Sequence, residues 1–282
     1  MTVPKYLIDM ARDIRARVIE TSHRAGVPHL GSCLSCVDIL VACYFHVLRI
    51  DPLDPNDSRR DRFILSKGHA APALFQVLAK RGFFAEAMLS HYGEDGTFFG
   101  EHPPVPGHLP GVEAATGSLG HGLSIGLGLA LASRINELNY RTICLLSDGE
   151  CNEGAVWEAA MLAASQKVGS LTAIVDFNKW QATGRSQDVM HLDPLADKWR
   201  SFGWDCVEID GHDQAQIIHA LSSERGMRDR PLAIVAHTLK GKGVSFMEDD
   251  NNWHYRIPDA EELSAAMSEL YCHDQVIEGA DA

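Results

Sequence analysis

The chain has 282 residues, 45 % of them apolar and 22 % charged, the balance of a globular domain with a substantial core, folded as one large α/β domain or two small ones. Its net charge of −13 argues against nucleic acid or an anionic membrane as the main partner, but not against an anionic cofactor held by local fields. Seven cysteines, an odd number, point to reduced thiols, and Cys33-Leu34-Ser35-Cys36 has no second pair to complete a zinc site. The first residues read as an amphipathic helix with Leu7, Met10, Ile14 and Val18 on one side. They lack the continuous apolar run of a signal peptide, and no stretch reaches transmembrane length, so a cytoplasmic protein is expected. Helical periodicity covers about 5–25 and again about 34–48, joined by a turn over 26–31. After a polar, proline-bearing loop over 51–62, Phe63-Ile64-Leu65 reads as a short buried strand. It ends at Ser66-Lys67-Gly68-His69, and a helix follows through Ala79. Residues 92–118 are rich in Gly and Pro with little period, a loop of functional or disordered length. A helix is predicted at about 119–138, packed through Gly122, Gly126 and Gly128. Strands at 141–146, 171–176, 204–209 and 231–236 then alternate with helices, which predicts a parallel sheet with helices on both faces. An acidic amphipathic helix over 259–271 precedes a polar tail.

The chemistry concentrates at Asp148 and Asn178. Asp148 follows the apolar run 143–146 and precedes Gly149, while Asn178 closes the next run, 30 positions further on. A strand–helix–strand crossover takes about 30 residues or more. The two side chains therefore emerge together at the carboxyl ends of adjacent parallel strands, where open α/β sheets bind ligands. One carboxylate, one amide oxygen and a nearby carbonyl are hard oxygen donors. They suit Mg²⁺, which keeps few protein contacts and takes phosphate oxygens for the rest. The local reading is a magnesium–diphosphate site.

Ser147-Asp148-Gly149, followed after a helix by Asn178, resembles the thiamine diphosphate motif, with Ser147 in place of the motif's first Gly. The wider chain resembles the amino-terminal half of a transketolase. That resemblance implies the thiamine-diphosphate-binding fold. Asp148, Asn178 and the backbone carbonyl of Trp180 would then hold Mg²⁺ between the two phosphates of thiamine diphosphate. Gly149 and Glu150 would belong to the same cofactor-binding turn, and Gln181 would approach the thiazolium ring. Four histidines sit in turns similar to those of the family: His29-Leu30-Gly31, Ser66-Lys67-Gly68-His69, His102-Pro103 and Trp253-His254. By resemblance, His69 and His254 contact the diphosphate, and His29 and His254 face reacting oxygens. His102 would hold a hydroxyl of the donor ketose, with His108 a competing assignment because the loop carries an extra Pro-Gly-His. Gly117 and Leu119 match the turn whose backbone meets the aminopyrimidine. Lys240, first in Lys240-Gly241-Lys242-Gly243, would approach the phosphates. Tyr255 stands where many relatives have Gly.

The matching motifs run from about residue 10 to about 260, implying one diphosphate-binding domain over 1–282 with a C-terminal helix and tail over 259–282. In the family, a glutamate of a second, pyrimidine-binding domain activates the cofactor, and none of the matches belongs to that domain. A split transketolase is therefore implied. It would transfer a two-carbon ketol unit from a ketose or ketose phosphate to an aldose or aldose phosphate, with a separate pyrimidine-domain subunit in an α2β2 assembly. The α subunit of a 2-oxo acid dehydrogenase or decarboxylase, and a noncatalytic diphosphate-binding subunit, are the alternative readings. A His-rich metallohydrolase is disfavoured, because no H-E-x-x-H motif occurs.

Overall fold

Runs of apolar residues long enough for strands alternate with helical periods through most of the chain, and the computed structural model, which describes residues 4–222 and 229–272, follows that alternation. It opens with α1 (Lys5–Ala25), α2 (Leu30–Ser35) and α3 (Val37–Ala42), then a single π-helical turn (Cys43–Val47). Strand β1 (Arg62–Leu65) leads through a 3₁₀ turn (Gly68–Ala70) into α4 (Ala71–Arg81). After the long loop come α5 (Gly122–Ile135), β2 (Thr142–Ser147), a 3₁₀ turn (Gly149–Asn152), α6 (Gly154–Ser165) and β3 (Leu171–Phe177). A two-residue hairpin, β4 (Trp180–Gln181) and β5 (Gly184–Arg185), is followed by α7 (Ser186–Val189) and α8 (Leu195–Ser201). The chain closes with β6 (Asp205–Asp210), α9 (Gln214–Ser222), β7 (Leu232–His237), a 3₁₀ turn (Asn251–His254) and α10 (Ala260–Cys272).

Five strands form one parallel sheet in the order β1-β2-β3-β7-β6. Every residue of β2 and β3 is buried, as expected of parallel strands covered on both faces. Side chains alternate between those faces. Ile143, Leu145, Ile174 and Ile234 pack with α1, α3, α4 and α9, whereas Cys144, Leu146, Ala173, Val175 and Val235 pack with α5, α6 and α8. The expected sheet with helices on both faces is thus present. Among the described residues, no helix is long and apolar enough to cross a membrane.

Two expectations need correction. The helix predicted over 34–48 starts earlier, at Leu30, and breaks at Cys36 (φ −99°) before continuing as α3 and the π turn. Residues 30–42 are all buried, so this segment has no polar face for a helical period to reveal. The helix predicted over 119–138 is shorter at both ends, and only two of its three glycines are packing sites. A Cβ on Gly122 would lie 2.2 Å from Ser66 Oγ, and one on Gly126 would lie 2.2 Å from Cys144 Sγ, so α5 rests directly on β1 and β2. Around Gly128 the space is open. The loop over 92–118 contains no helix or strand but is pinned by buried Phe99, Leu109 and Val112. Cys33, Cys36, Cys43, Cys144, Cys151 and Cys206 are free thiols, all but Cys206 buried. The predicted polar tail, 273–282, lies outside the described residues.

Candidate active site

The carboxyl ends of β1, β2, β3 and β7 bring four turns to one side of the sheet, and a cavity of about 390 Å³ opens between them. Its wall includes His29, His69, His102 and His254, from four separate stretches of chain. The His29 ring centroid lies 5.4 Å from that of His69, 6.4 Å from His102 and 5.1 Å from His254. His29 sits in the left-handed region (φ 69°) just before α2, and its backbone N–H donates to the His254 carbonyl at 2.8 Å. Tyr255 packs edge-on against His254 at 4.7 Å on the exposed side. A larger groove of about 760 Å³ runs along edge strand β6, but it contains none of the four histidines, nor Asp148 or Asn178.

Three of these rings, His29, His69 and His254, are held neutral. Burial lowers the pKa of His29, burial and the Lys67 charge push His69 well below the usual value, and burial and the Lys240 ammonium bring His254 down to about 3. Lys240 Nζ donates to Asn251 Oδ1 (2.7 Å) and to His254 Nδ1 (3.1 Å). An ammonium only donates, so Nδ1 of His254 accepts and its ring proton sits on Nε2. Nδ1 of His29 is buried without a partner.

The opposite wall is built from the ends of β2 and β3. Asp148 is fully buried, with Oδ1 accepting from Gly149 N–H (2.8 Å) and Oδ2 from the Ser186 hydroxyl (2.6 Å). No cationic side chain pairs with it among the described residues, and burial raises its pKa to about 6. Asn178, 2 % exposed, accepts through Oδ1 from Trp180 N–H at 3.0 Å. Trp180 and Gln181 form β4, which a cluster clips to the 249–251 segment. Trp180 Nε1 donates to Asp249 Oδ1 (2.8 Å), Arg185 pairs with both Asp249 oxygens (2.6 Å each), and the Arg185 guanidinium lies 3.8 Å from the Trp180 ring centre. Asn152 Nδ2 donates to Gln181 Oε1 (3.1 Å), which leaves Asn152 Oδ1 and Gln181 Nε2 buried and unpartnered at the cavity.

A buried carboxylate with raised pKa, beside an amide oxygen and a backbone carbonyl, fits a small divalent cation that binds few protein groups. Among the described residues, no set of three or more His, Cys, Asp or Glu side chains could hold a metal. Any cation here would therefore rely on the mixed oxygen donors rather than on a closed side-chain cage.

Most of the residues singled out from sequence meet here. Gly117, Leu119, Asp148, Gly149, Asn178, Trp180 and Gln181 all line the cavity with the four histidines. Gly117 has φ 147°, and a Cβ there would lie 2.7 Å from His102 Cδ2, so only glycine lets the histidine sit against this turn. His108 packs on Phe98 at 4.7 Å and is not part of the wall, which favours His102 of the two. Two residues sit elsewhere than expected. Glu150 is fully buried behind the wall, accepting from the Ser66 hydroxyl, Gly120 N–H (2.9 Å) and Ser147 N–H (3.2 Å), so it braces two turns instead of facing the cavity. Lys240 is also fully buried and stands behind His254. Several contributors escaped the sequence reading: Ser32 and Asn152 in the wall, Ser186 on Asp148, and a buried Lys67–Asp176 ion pair beneath it. The signal for the last was present, since Asp176 is the one charged residue in a fully buried strand.

Residues 8–276 match the family described as "Transketolase, thiamine diphosphate binding domain". An apulose-4-phosphate transketolase subunit from Phocaeicola vulgatus is 40 % identical over 256 residues, 91 % of this chain and 90 % of the relative. The 6-deoxy-6-sulfo-D-fructose transketolase subunit SqwG of a Clostridium species is 39 % identical over 260 residues, 92 % of this chain and 94 % of the relative. In fold, the chain superposes on transketolase from Leishmania mexicana with a TM-score of 0.87 at 24 % identity, covering 94 % of this chain and 41 % of that one. By sequence along nearly its whole length, and by the sheet it builds, this chain belongs to the transketolase family as its thiamine diphosphate-binding domain.

Proposed function

We propose that this chain is the thiamine diphosphate-binding subunit of a split transketolase, active in the cytoplasm as an α2β2 assembly with a pyrimidine-domain subunit. In carbohydrate metabolism it would move a two-carbon ketol unit from a ketose or ketose phosphate to an aldose or aldose phosphate. One observation carries the reading: four histidines, three of them held neutral, face a buried carboxylate–amide pair across one cavity. Two relatives named as transketolase subunits are covered over 90 % and 94 % of their length, which supports the subunit reading. Against the solved Leishmania transketolase the chain spans less than half the length.

Asp148, Asn178 and the Trp180 carbonyl would hold Mg²⁺, and with it the diphosphate. Bound thiamine diphosphate supplies an electron sink for the two-carbon fragment. The chain's own residues do the rest by position. His69 and His254 would donate ring N–H groups to phosphate oxygens, His254 from Nε2 because Lys240 occupies the other side of its ring. His29 and His254 would also face reacting oxygens, His254 as an N–H hydrogen-bond donor because Lys240 occupies its Nδ1 and its low pKa keeps it from taking up a proton near neutral pH. The buried, unpartnered Nδ1 of His29 would be available to such an oxygen, as donor or acceptor according to the ring's tautomer. His102, against Gly117, would hold a donor hydroxyl, and the backbone at Gly117 and Leu119 would meet the aminopyrimidine. Lys240 would add positive field to the phosphate end from behind His254.

The test is reconstitution. The purified chain with saturating thiamine diphosphate and Mg²⁺ should show no ketol transfer from xylulose 5-phosphate, and should gain it only on mixing with a pyrimidine-domain subunit. Pyruvate should remain unused in both cases. Turnover by the chain alone, comparable to the mixture, would overturn the split-site reading.

A further inference from the structure

Behind the wall of the cavity lies a buried polar layer whose centre, the Lys67–Asp176 pair, is not itself part of the lining. Asp176 and Asn178 lie two residues apart at the end of β3, and the first is fully buried while the second is 2 % exposed. The Asp176 carboxylate is ringed by donors from four segments. Lys67 Nζ and the Thr238 hydroxyl bond to its two oxygens, Ser35 Oγ donates at 2.7 Å, and Asn178 Nδ2 approaches Oδ2 at 3.4 Å. Lys67 is itself fully buried and gives a second bond to the Ser32 carbonyl at 2.8 Å.

We infer that Asp176 is a positioning residue that, together with the Trp180 N–H, sets which end of the Asn178 amide faces the cavity. This rests on the reading of Asn178 as a cation ligand. A side-chain amide has nearly the same shape at both ends, and its oxygen and nitrogen present opposite chemistry. A hard cation accepts only the oxygen, and the NH₂ group would repel it. A carboxylate paired with a buried lysine offers acceptors alone. Asn178 can therefore turn only its NH₂ toward Asp176. Oδ1 is left on the other side, where it accepts from Trp180 N–H at 3.0 Å next to Asp148. Lys67 contributes by holding Asp176 and, through Ser32, the histidine-bearing start of α2. Partners that orient a ligand in this way are commonly worth about 10–100-fold in metal affinity.

The ordinary alternative is that the Lys67–Asp176 pair is only part of the packing. The two readings part when the amide is replaced by a group with no wrong end. Asp176→Asn alone leaves Lys67 buried without a counter-charge and risks unfolding. The combined Lys67→Met/Asp176→Asn variant removes both charges and puts at 176 an amide that can donate as well as accept. In the full chain with thiamine diphosphate, Mg²⁺ affinity followed by calorimetric titration should fall about 10–100-fold in this variant. Adding Asn178→Asp, whose two oxygens are equivalent, should restore the affinity to within a few-fold of the unaltered protein. Unchanged Mg²⁺ affinity in the Lys67→Met/Asp176→Asn variant would overturn the inference. So would a loss that Asn178→Asp fails to rescue, because a packing defect does not depend on the orientation at 178. Asn178→Ala, run alongside, separates the two levels. If it leaves Mg²⁺ affinity untouched, the ligand reading fails and the inference falls with it; if it weakens binding, the rescue decides the role of Asp176.

Discussion

Asp148→Asn should make the metal-free protein more stable while removing its response to magnesium, two effects of opposite sign from one atom. The wild-type carboxylate is fully buried, and burial raises its pKa from 3.8 to about 6. At about 1.4 kcal/mol per pH unit, that gap is a cost of about 3 kcal/mol to the metal-free fold at pH 7. A group raised in this way costs nothing below its unfolded value and its full penalty above its folded one, so the cost vanishes as pH falls from about 6 to 3.8. The amide keeps the Gly149 N–H bond and can donate to Ser186, whose hydroxyl reverses its role. For 282 residues, an unfolding entropy of about 2.1 cal/mol/K per residue makes about 3 kcal/mol worth roughly 5 °C in Tm. Scanning calorimetry in EDTA should show that gain at pH 7 and most of it lost by pH 4. Addition of Mg²⁺ and thiamine diphosphate should raise the wild-type Tm by mass action and leave the variant where it was. A variant less stable than wild type in EDTA at pH 7, or one that responds equally to the ligands, would refute the assignment of Asp148.

His102→Ala should weaken donor binding and turnover of the reconstituted enzyme by about 10–100-fold with little change in cofactor affinity, while His108→Ala should change neither, since His108 only stacks on Phe98. Steady-state kinetics on both variants check this, and an effect confined to His108→Ala would show that the loop has been misread. The histidine cluster also sets an acid limit on stability. His254 resists protonation down to about 3, whereas the unfolded chain takes up that proton near 6.5, so its stabilising contribution is complete above 6.5 and is lost as pH falls toward 3. Tm in EDTA, compared between wild type and His254→Gln, should therefore show a shallower acid decline in the variant; parallel curves would contradict the neutral state of this ring.

What could be read from sequence divides along a physical line. The meeting of Asp148 and Asn178 followed from spacing, because a parallel crossover of fixed minimum length leaves little choice about where its ends lie. The convergence of His29, His69, His102 and His254 was reached through resemblance; no periodicity links turns so far apart. Burial decided what was missed. Glu150 and Lys240 look like site residues in a string, yet packing turns the first onto Ser66 and the second behind His254. The break at Cys36 was hidden because α2 and α3 are buried on every side, and Ser186 because nothing in its own turn points back to β2.

The bond from His29 N–H to the His254 carbonyl has a consequence for how the molecule comes into being. Its two ends are separated by almost the whole described chain. A ribosome adds about 5–20 residues per second, so the first histidine waits on the order of ten seconds or more for the last. The sheet can begin to assemble in that interval through β1, β2 and β3, whose mutual register needs nothing from beyond residue 177. The cavity cannot. Its histidine face is closed only when the 3₁₀ turn at Asn251–His254 arrives and folds back against the first turn of the protein. Synthesis thus supplies the strands of the scaffold before it completes the binding site, and a chain released between residues 237 and 254 would hold all five strand segments but lack the His254 side of the pocket.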